Sequence, residues 1–201
     1  MAILSPAAEH AAASHPSSKQ VIEEIQAWLV RAVIGLNLCP FAKAVHVKNQ
    51  IRYAVSDAVD QETLLKDLVD ELHHLQQSSP EKLDTTLLIH PWVLSDFLDY
   101  NDFLEAADAA LEESDLAGEI QIASFHPDYQ FADADSTAIE NYTNRSPYPI
   151  LHLLREDSIE RAVEAFPDAS DIYERNIETM LGLGLDGWRK LMAKSEPNCD
   201  S

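Results

Sequence analysis

Two short runs carry the residue types that move protons and grip anions. His126-Pro127-Asp128 puts an imidazole two residues from a carboxylate, and Asn144-Arg145-Ser146 sets a guanidinium between two neutral hydrogen-bonding side chains. An imidazole titrates near neutrality, so His126 is a candidate general acid or base, with Asp128 or His90 to orient it. Arg145 offers a planar fork that fits carboxylate or phosphate, with Asn144 beside it and Arg52 as a further cation for substrate. The bland alternative is a loop stitched together internally, with Arg145 paired to Asp128 or Asp133.

The histidines admit a second chemistry. His126-x-Asp128 with His90 or His152 supplies two imidazoles and one carboxylate, a set that holds iron or zinc. Spacing alone does not assign a metal ligand, and no cofactor follows from these motifs. His152 lies between Ile150 and Leu154 on one face of an apolar run, where a hydrogen-bonded core histidine is the simpler reading. Cys39 is a candidate reactive thiol. Nearby cations would lower its pKa, whereas the end of the preceding helix and burial would raise it, and packing is the favoured role. Gly182-Leu183-Gly184-Leu185-Asp186-Gly187 matches a dinucleotide fingerprint but follows a helix rather than a strand, so it reads as a helix ending and a turn.

The charge pattern marks where such groups would be used. The formal net charge is −21, yet Ile25 to Ser56 and Asn141 to Arg155 contain no acidic residue. The first stretch carries Arg31, Lys43, Lys48, Arg52, Cys39 and His46, and the second carries Arg145, His152 and Arg155. From Asp57 to Glu140 the basic residues are Lys66 and Lys82. If the two stretches meet, they form a cationic pocket on an anionic body. An apolar helix accounts for the absence of acids up to Leu38 but not from Pro40 to Ser56.

The elements that must position these groups follow from periodicity. A helix starts near Ser18, with Val21, Ile22, Ile25, Trp28, Leu29, Ala32 and Val33 at helical spacing, and Gly35, Asn37 and Pro40 mark its end. Ile51, Tyr53 and Val55 alternate as a strand. Asp60 caps a second helix with Leu64, Leu65, Leu68, Val69 and Leu72 as its stripe. Thr85 to His90 is a short strand, Ser95 to Glu113 a helix, and Glu119 to Phe125 another strand. A long connection from His126 to Pro149 holds a brief helix near Thr137 to Tyr142, where Thr137 and Glu140 have capping-box spacing. Ile150 to Arg155 is the fourth strand. Helices near Ser158 to Phe166 and Asp171 to Leu183, with a short piece around Trp188, finish the chain.

This pattern predicts an α/β fold: a single domain with a roughly four-stranded mixed sheet flanked by helices. Residues 1–17 read as a disordered leader, 18–193 as the globular domain, and 194–201, with Cys199, as a flexible tail. Ligands of such sheets bind beyond the carboxyl ends of the strands, which places His90, His126 and Arg145 at one edge. The acidic balance excludes nucleic acid and anionic membranes as partners. The chain has no secretory signal, no disulfide framework and no membrane-length apolar run, so the cytoplasm is the expected compartment. Nothing in the sequence sets the oligomeric state.

The runs GLNLCPFAK, QIRYAVSDA, LLIHPWVLSDFLDYNDFL, SFHPDYQF and NYTNRSPYPILHLLRE together resemble a family of small bacterial proteins, the domain of unknown function numbered fourteen-fifteen. The resemblance spans roughly Val21 to Leu191. Its signature segments include Cys39-Pro40-Phe41, His126-Pro127-Asp128 and Asn144-Arg145-Ser146, and it implies no established activity. The expectation is therefore a cytoplasmic enzyme acting on a small anionic molecule through a His/Arg site on strand-end loops. The rivals are a non-catalytic interaction module using the aromatics of the 125–149 loop, Phe125, Tyr129, Phe131, Tyr142 and Tyr148, and a metal-binding protein.

Overall fold

A computed structural model describes residues 15–165 and 171–193. The first helix, α1 (Ser18–Trp28), is capped by Ser17, whose hydroxyl accepts from the Gln20 N–H, and buries Val21, Ile25 and Trp28. It continues as a π-helical segment, Leu29–Ile34, whose wider turn buries Leu29, Ala32 and Val33. Next come α2 (Ala42–Val47), β1 (Ile51–Val55), α3 (Gln61–Gln77), β2 (Thr85–Ile89), α4 (Phe97–Glu113), β3 (Ile120–Phe125), a 3-10 turn (Ile139–Thr143), β4 (Ile150–Arg155), α5 (Glu156–Ala165) and α6 (Ile172–Met192). The described residues thus form a single α/β domain with the four-stranded mixed sheet that the periodicity predicts.

The strand order is β1-β2-β4-β3, with β1 parallel to β2 and β4 antiparallel to both of its neighbours. The last strand is therefore inserted between the second and third. As a result β1, β2 and β3 all end at one edge of the sheet, where β4 begins. Backbone bonds hold that edge together: the His90 N–H donates to the Pro149 carbonyl at 3.1 Å and the His126 N–H to the Asn144 carbonyl at 3.3 Å. At the opposite edge β1 and β2 begin and β4 ends.

Alternation along the strands divides the core in two. Leu88, Leu151, Leu153 and Ile120 pack under α3 and α4 with Leu64, Leu68, Tyr100 and Phe103. Leu87, Ile89 and Ile150 pack on the other face against Val21, Ile25, Trp28, Met180 and Trp188. This second face is covered by α1, its π-helical continuation and α6.

Several local features depart from the sequence reading. Helix α2 falls in a stretch to which the periodicity assigns no element, because it has six residues and no side-chain cap. The capping box expected at Thr137 and Glu140 does not form. Thr137 instead gives both its N–H and its hydroxyl to Asp135 Oδ1, at 2.8 and 2.7 Å, which makes an Asx turn before the 3-10 turn. The last two helical pieces are contiguous as α6, broken by Gly184 at φ 63° and ψ 171°, so the glycine-rich run is a kink. Of the expected leader, residues 1–14 lie outside the described residues, as does the tail with Cys199. His15 is described, its ring edge-on to Trp92 at 4.9 Å.

Candidate functional site

The strand-end loops bring His90 and His126 together around one aromatic ring. His90 stacks on Tyr100 at 5.7 Å and His126 lies tilted against the same ring at 5.1 Å; all three are fully buried. The Tyr100 hydroxyl donates to the Ile150 carbonyl at 2.8 Å, and burial raises its pKa further. Both nitrogens of His126 are committed. Nδ1 accepts from the Asp128 N–H at 3.0 Å, so Nε2 carries the proton and donates to the Leu94 carbonyl at 3.1 Å. Burial lowers the His126 pKa, and no ring atom is left to exchange a proton with a substrate in this arrangement.

The other strand-end candidates are placed as follows. Asp128 acts on His126 through its backbone N–H, with its side chain exposed. His90 does not orient His126: its Nδ1 sits 3.1 Å from the Val93 carbonyl, and its buried Nε2 has no partner. Desolvation pushes its pKa down to about 4. The Arg145 guanidinium turns away from the histidines. Nε donates to the Tyr129 carbonyl at 3.0 Å, Nη2 donates to the Ser136 carbonyl at 2.9 Å, and the group lies 4.5 Å over the Tyr142 ring. It thus stitches the loop through carbonyls rather than through Asp128 or Asp133. Asn144 donates to the Ser124 carbonyl at 3.3 Å. Arg52 stands near the start of β1, away from this edge, in a bidentate pair with Glu71 at 2.7 and 2.9 Å. Its charge is thereby neutralised on the α3 side of the sheet. Among the described residues no cluster of three or more His, Cys, Asp or Glu side chains is placed to hold a metal.

The loop aromatics anchor inward. Phe125 packs on Trp28 at 5.5 Å and Tyr142 on Trp188 at 5.2 Å, while the Tyr148 hydroxyl donates to Glu24 at 2.8 Å. Tyr129 and Phe131 pack on each other at 5.1 Å.

A different site lies at the opposite end of the sheet. A partly open cavity of about 110 Å3 lies between the second sheet face, α2 and α5. Leu29, Cys39, Phe41, Ala42, Val45 and Ile51 wall it from the first acid-free stretch, and His152, Leu154 and Arg155 from the second. Ile159 and Ala162 of α5 close it. The two stretches do meet, but around an apolar interior rather than a cationic one. Arg155 is turned to carbonyls instead: its guanidinium donates to Leu75, Ser78 and Leu83 at the end of α3 and in the loop that follows. There it offsets the negative end of the helix dipole. A wider mouth of about 530 Å3 adjoins the cavity, sharing Phe41, Val45, Asp84, Ser158 and Ala162 and adding Lys48, Glu81 and Arg161. The Ser158 hydroxyl donates to Asp84 at 2.6 Å, which ties α5 over the entrance.

Thr85, His152 and Cys39 belong to this lining, beside Asp84, Arg155 and Ser158. Thr85 Oγ1 donates to the Leu153 carbonyl at 2.6 Å and lies 2.7 Å from His152 Nε2. A hydroxyl has one proton to give, so His152 must donate through Nε2, and its Nδ1 keeps a free lone pair. Burial holds this imidazole neutral, with a pKa pushed down to about 4. Cys39 is a free thiol, and backbone hydrogen bonding at Phe41 and Ala42 favours its thiolate form. Desolvation outweighs those bonds and raises its pKa, which favours the protonated thiol. Thr85 and the mouth of this site escaped the sequence reading, because the pairing of β2 with β4 is a tertiary fact. The legible signal was the pair of acid-free stretches.

Fold and site together define a single-domain α/β protein with a small cavity against the sheet. Residues 20–190 match the family model described as Protein of unknown function (DUF1415), and the chain belongs to that family. No curated protein and no solved structure matches the chain.

Proposed function

We propose that this protein binds a small, largely apolar molecule in the cavity between α2, α5 and the sheet, with His152 as the acid–base group at its wall. The observation that carries the reading is that residues from both acid-free stretches wall one largely apolar, partly open cavity. Ligand sites are concave and mostly apolar, with a few placed polar groups, and this cavity has that make-up. A neutral buried imidazole with one free nitrogen suits hydrogen bonding or proton transfer. The free thiol and the absence of a disulfide framework favour a reducing compartment, which we take to be the cytoplasm. Among the described residues no helix is long and apolar enough to cross a membrane. The net charge of −21 disfavours nucleic acid as a partner.

The test is a calorimetric titration of benzene and toluene into the wild type and into Ala162→Phe, which fills the cavity. Binding to the wild type that is lost in Ala162→Phe is expected; equal binding to both, or none to either, overturns the reading. Val45→Phe serves as a second filling variant.

A second reading, an anion-binding enzyme at the strand-end loops, has one observation in its favour. Arg145 makes no ion pair with any described carboxylate, and its Nη1 makes no hydrogen bond with a described residue.

A further inference from the structure

Resting on the cavity reading, we propose that the bound molecule is a ring of roughly benzene size carrying one hydroxyl, which donates to Nδ1 of His152. The size follows from the cavity volume of about 110 Å3. An engineered apolar cavity of ~150 Å3 takes benzene, so one small ring is the largest rigid body that fits without displacing the walls.

The hydroxyl follows from the histidine. Thr85 spends its proton on the Leu153 carbonyl and leaves its lone pair for His152 Nε2–H. The tautomer is thereby set, and Nδ1 becomes an acceptor that no described residue satisfies. His152 lines the cavity beside apolar walls that include Leu29, Val45, Leu154 and Ile159, with Asp84, Arg155 and Ser158 also in the lining. An acceptor open to the cavity is best satisfied by a neutral donor on the ligand, because a ligand that covers it without donating leaves it unpaired. A carboxylate or phosphate would meet this lone pair and the Asp84 carboxylate of the same wall, where Arg155 is turned to carbonyls. A ligand with a polar tail can still direct that tail to the mouth, where Lys48, Arg161, Glu81 and Asp84 stand.

The experiment measures phenol and toluene binding by calorimetry on the full chain, in wild type and in His152→Gln. Glutamine keeps an amide N–H for Thr85 and removes the imidazole Nδ1. Each ligand is compared with itself across the two proteins, which cancels the greater hydrophobicity of toluene. Phenol is expected to weaken by about three- to tenfold in His152→Gln, the usual yield of one neutral hydrogen bond, with toluene unchanged. In the wild type, the 15N resonance of His152 Nδ1 should move upfield with phenol and stay put with toluene, which covers the case of a variant that fails to fold. If both ligands bind and both are indifferent to the substitution, or if the nitrogen does not respond to phenol, the hydroxyl assignment is overturned while the cavity reading stands. If neither binds the wild type, the cavity reading falls and this inference falls with it.

Discussion

Thr85 Oγ1 lies 2.7 Å from His152 Nε2 while donating its own proton to the Leu153 carbonyl. The two residues stand on neighbouring antiparallel strands, two positions apart in register, since Leu87 pairs with His152. The contact holds the imidazole in one tautomer. Thr85→Val keeps the shape and removes the hydroxyl, which leaves a buried N–H without an acceptor. A loss of about 1–3 kcal/mol is expected in urea unfolding, together with a mixed tautomer population for His152 by nitrogen NMR. Unchanged stability and tautomer would show that the contact does not order the ring.

Gly35 follows the π-helical segment, and its N–H reaches back to the Val30 carbonyl at 3.0 Å. A Cβ built there would stand 2.2 Å from the Arg31 carbonyl oxygen, although φ is an ordinary −64°. Alanine normally favours helices over glycine by about 1 kcal/mol. Here the sign reverses. Gly35→Ala should cost roughly 1–3 kcal/mol through forced backbone movement, read as a lower denaturation midpoint. A gain in stability would contradict the wide-turn geometry.

His90 and His152 are both held neutral by burial, each with a pKa of about 4 against an ordinary 6.5. The direction follows from linkage. Below pH 6.5 the unfolded chain takes up protons that the folded protein refuses until about pH 4. Stability is full above pH 6.5 and falls as the medium is acidified through that window, by up to about 1.4 kcal/mol per pH unit for each histidine. Unfolding free energy measured from pH 7 to pH 4.5 should show this slope, and His90→Phe should remove about half of it. A flat profile would mean that both rings titrate normally.

Arg145 joins the carbonyls of Tyr129 and Ser136 and lies over Tyr142. Lysine keeps the charge but lacks the fork. Arg145→Lys should speed hydrogen exchange of the Tyr129 to Thr137 amides with little change elsewhere. A thermal-shift comparison with inorganic phosphate addresses the second functional reading. A salt-sensitive stabilisation of the wild type that is lost in Arg145→Lys would favour an anion at this loop.

The regular elements were legible because their periodicity is strong: the leucine stripe of α3, the alternation of β1 and the cap at Asp60 read directly. Helix α2 was not, because six residues without a cap leave no periodic trace. Nor was the insertion of β4 between β2 and β3, since strand order depends on pairing partners distant in sequence. That insertion decides the site. His90 and His126 do converge, as their places after strands imply, but they converge on Tyr100 and on backbone carbonyls. The acid-free stretches pointed to a real meeting place. Their lack of acids reflects apolar walls and an arginine turned to carbonyls, which composition alone does not distinguish from a cationic pocket.

Methyl NMR mapping with phenol tests the central claim most directly. With methyl-labelled protein, the account predicts saturable shifts at Leu29, Val45, Ile51, Leu154 and Ile159, which surround the cavity, with Leu94 and Leu98 beside the strand-end loops unmoved. Shifts centred on Leu94 and Leu98, or no saturable shift at the cavity methyls, would contradict it.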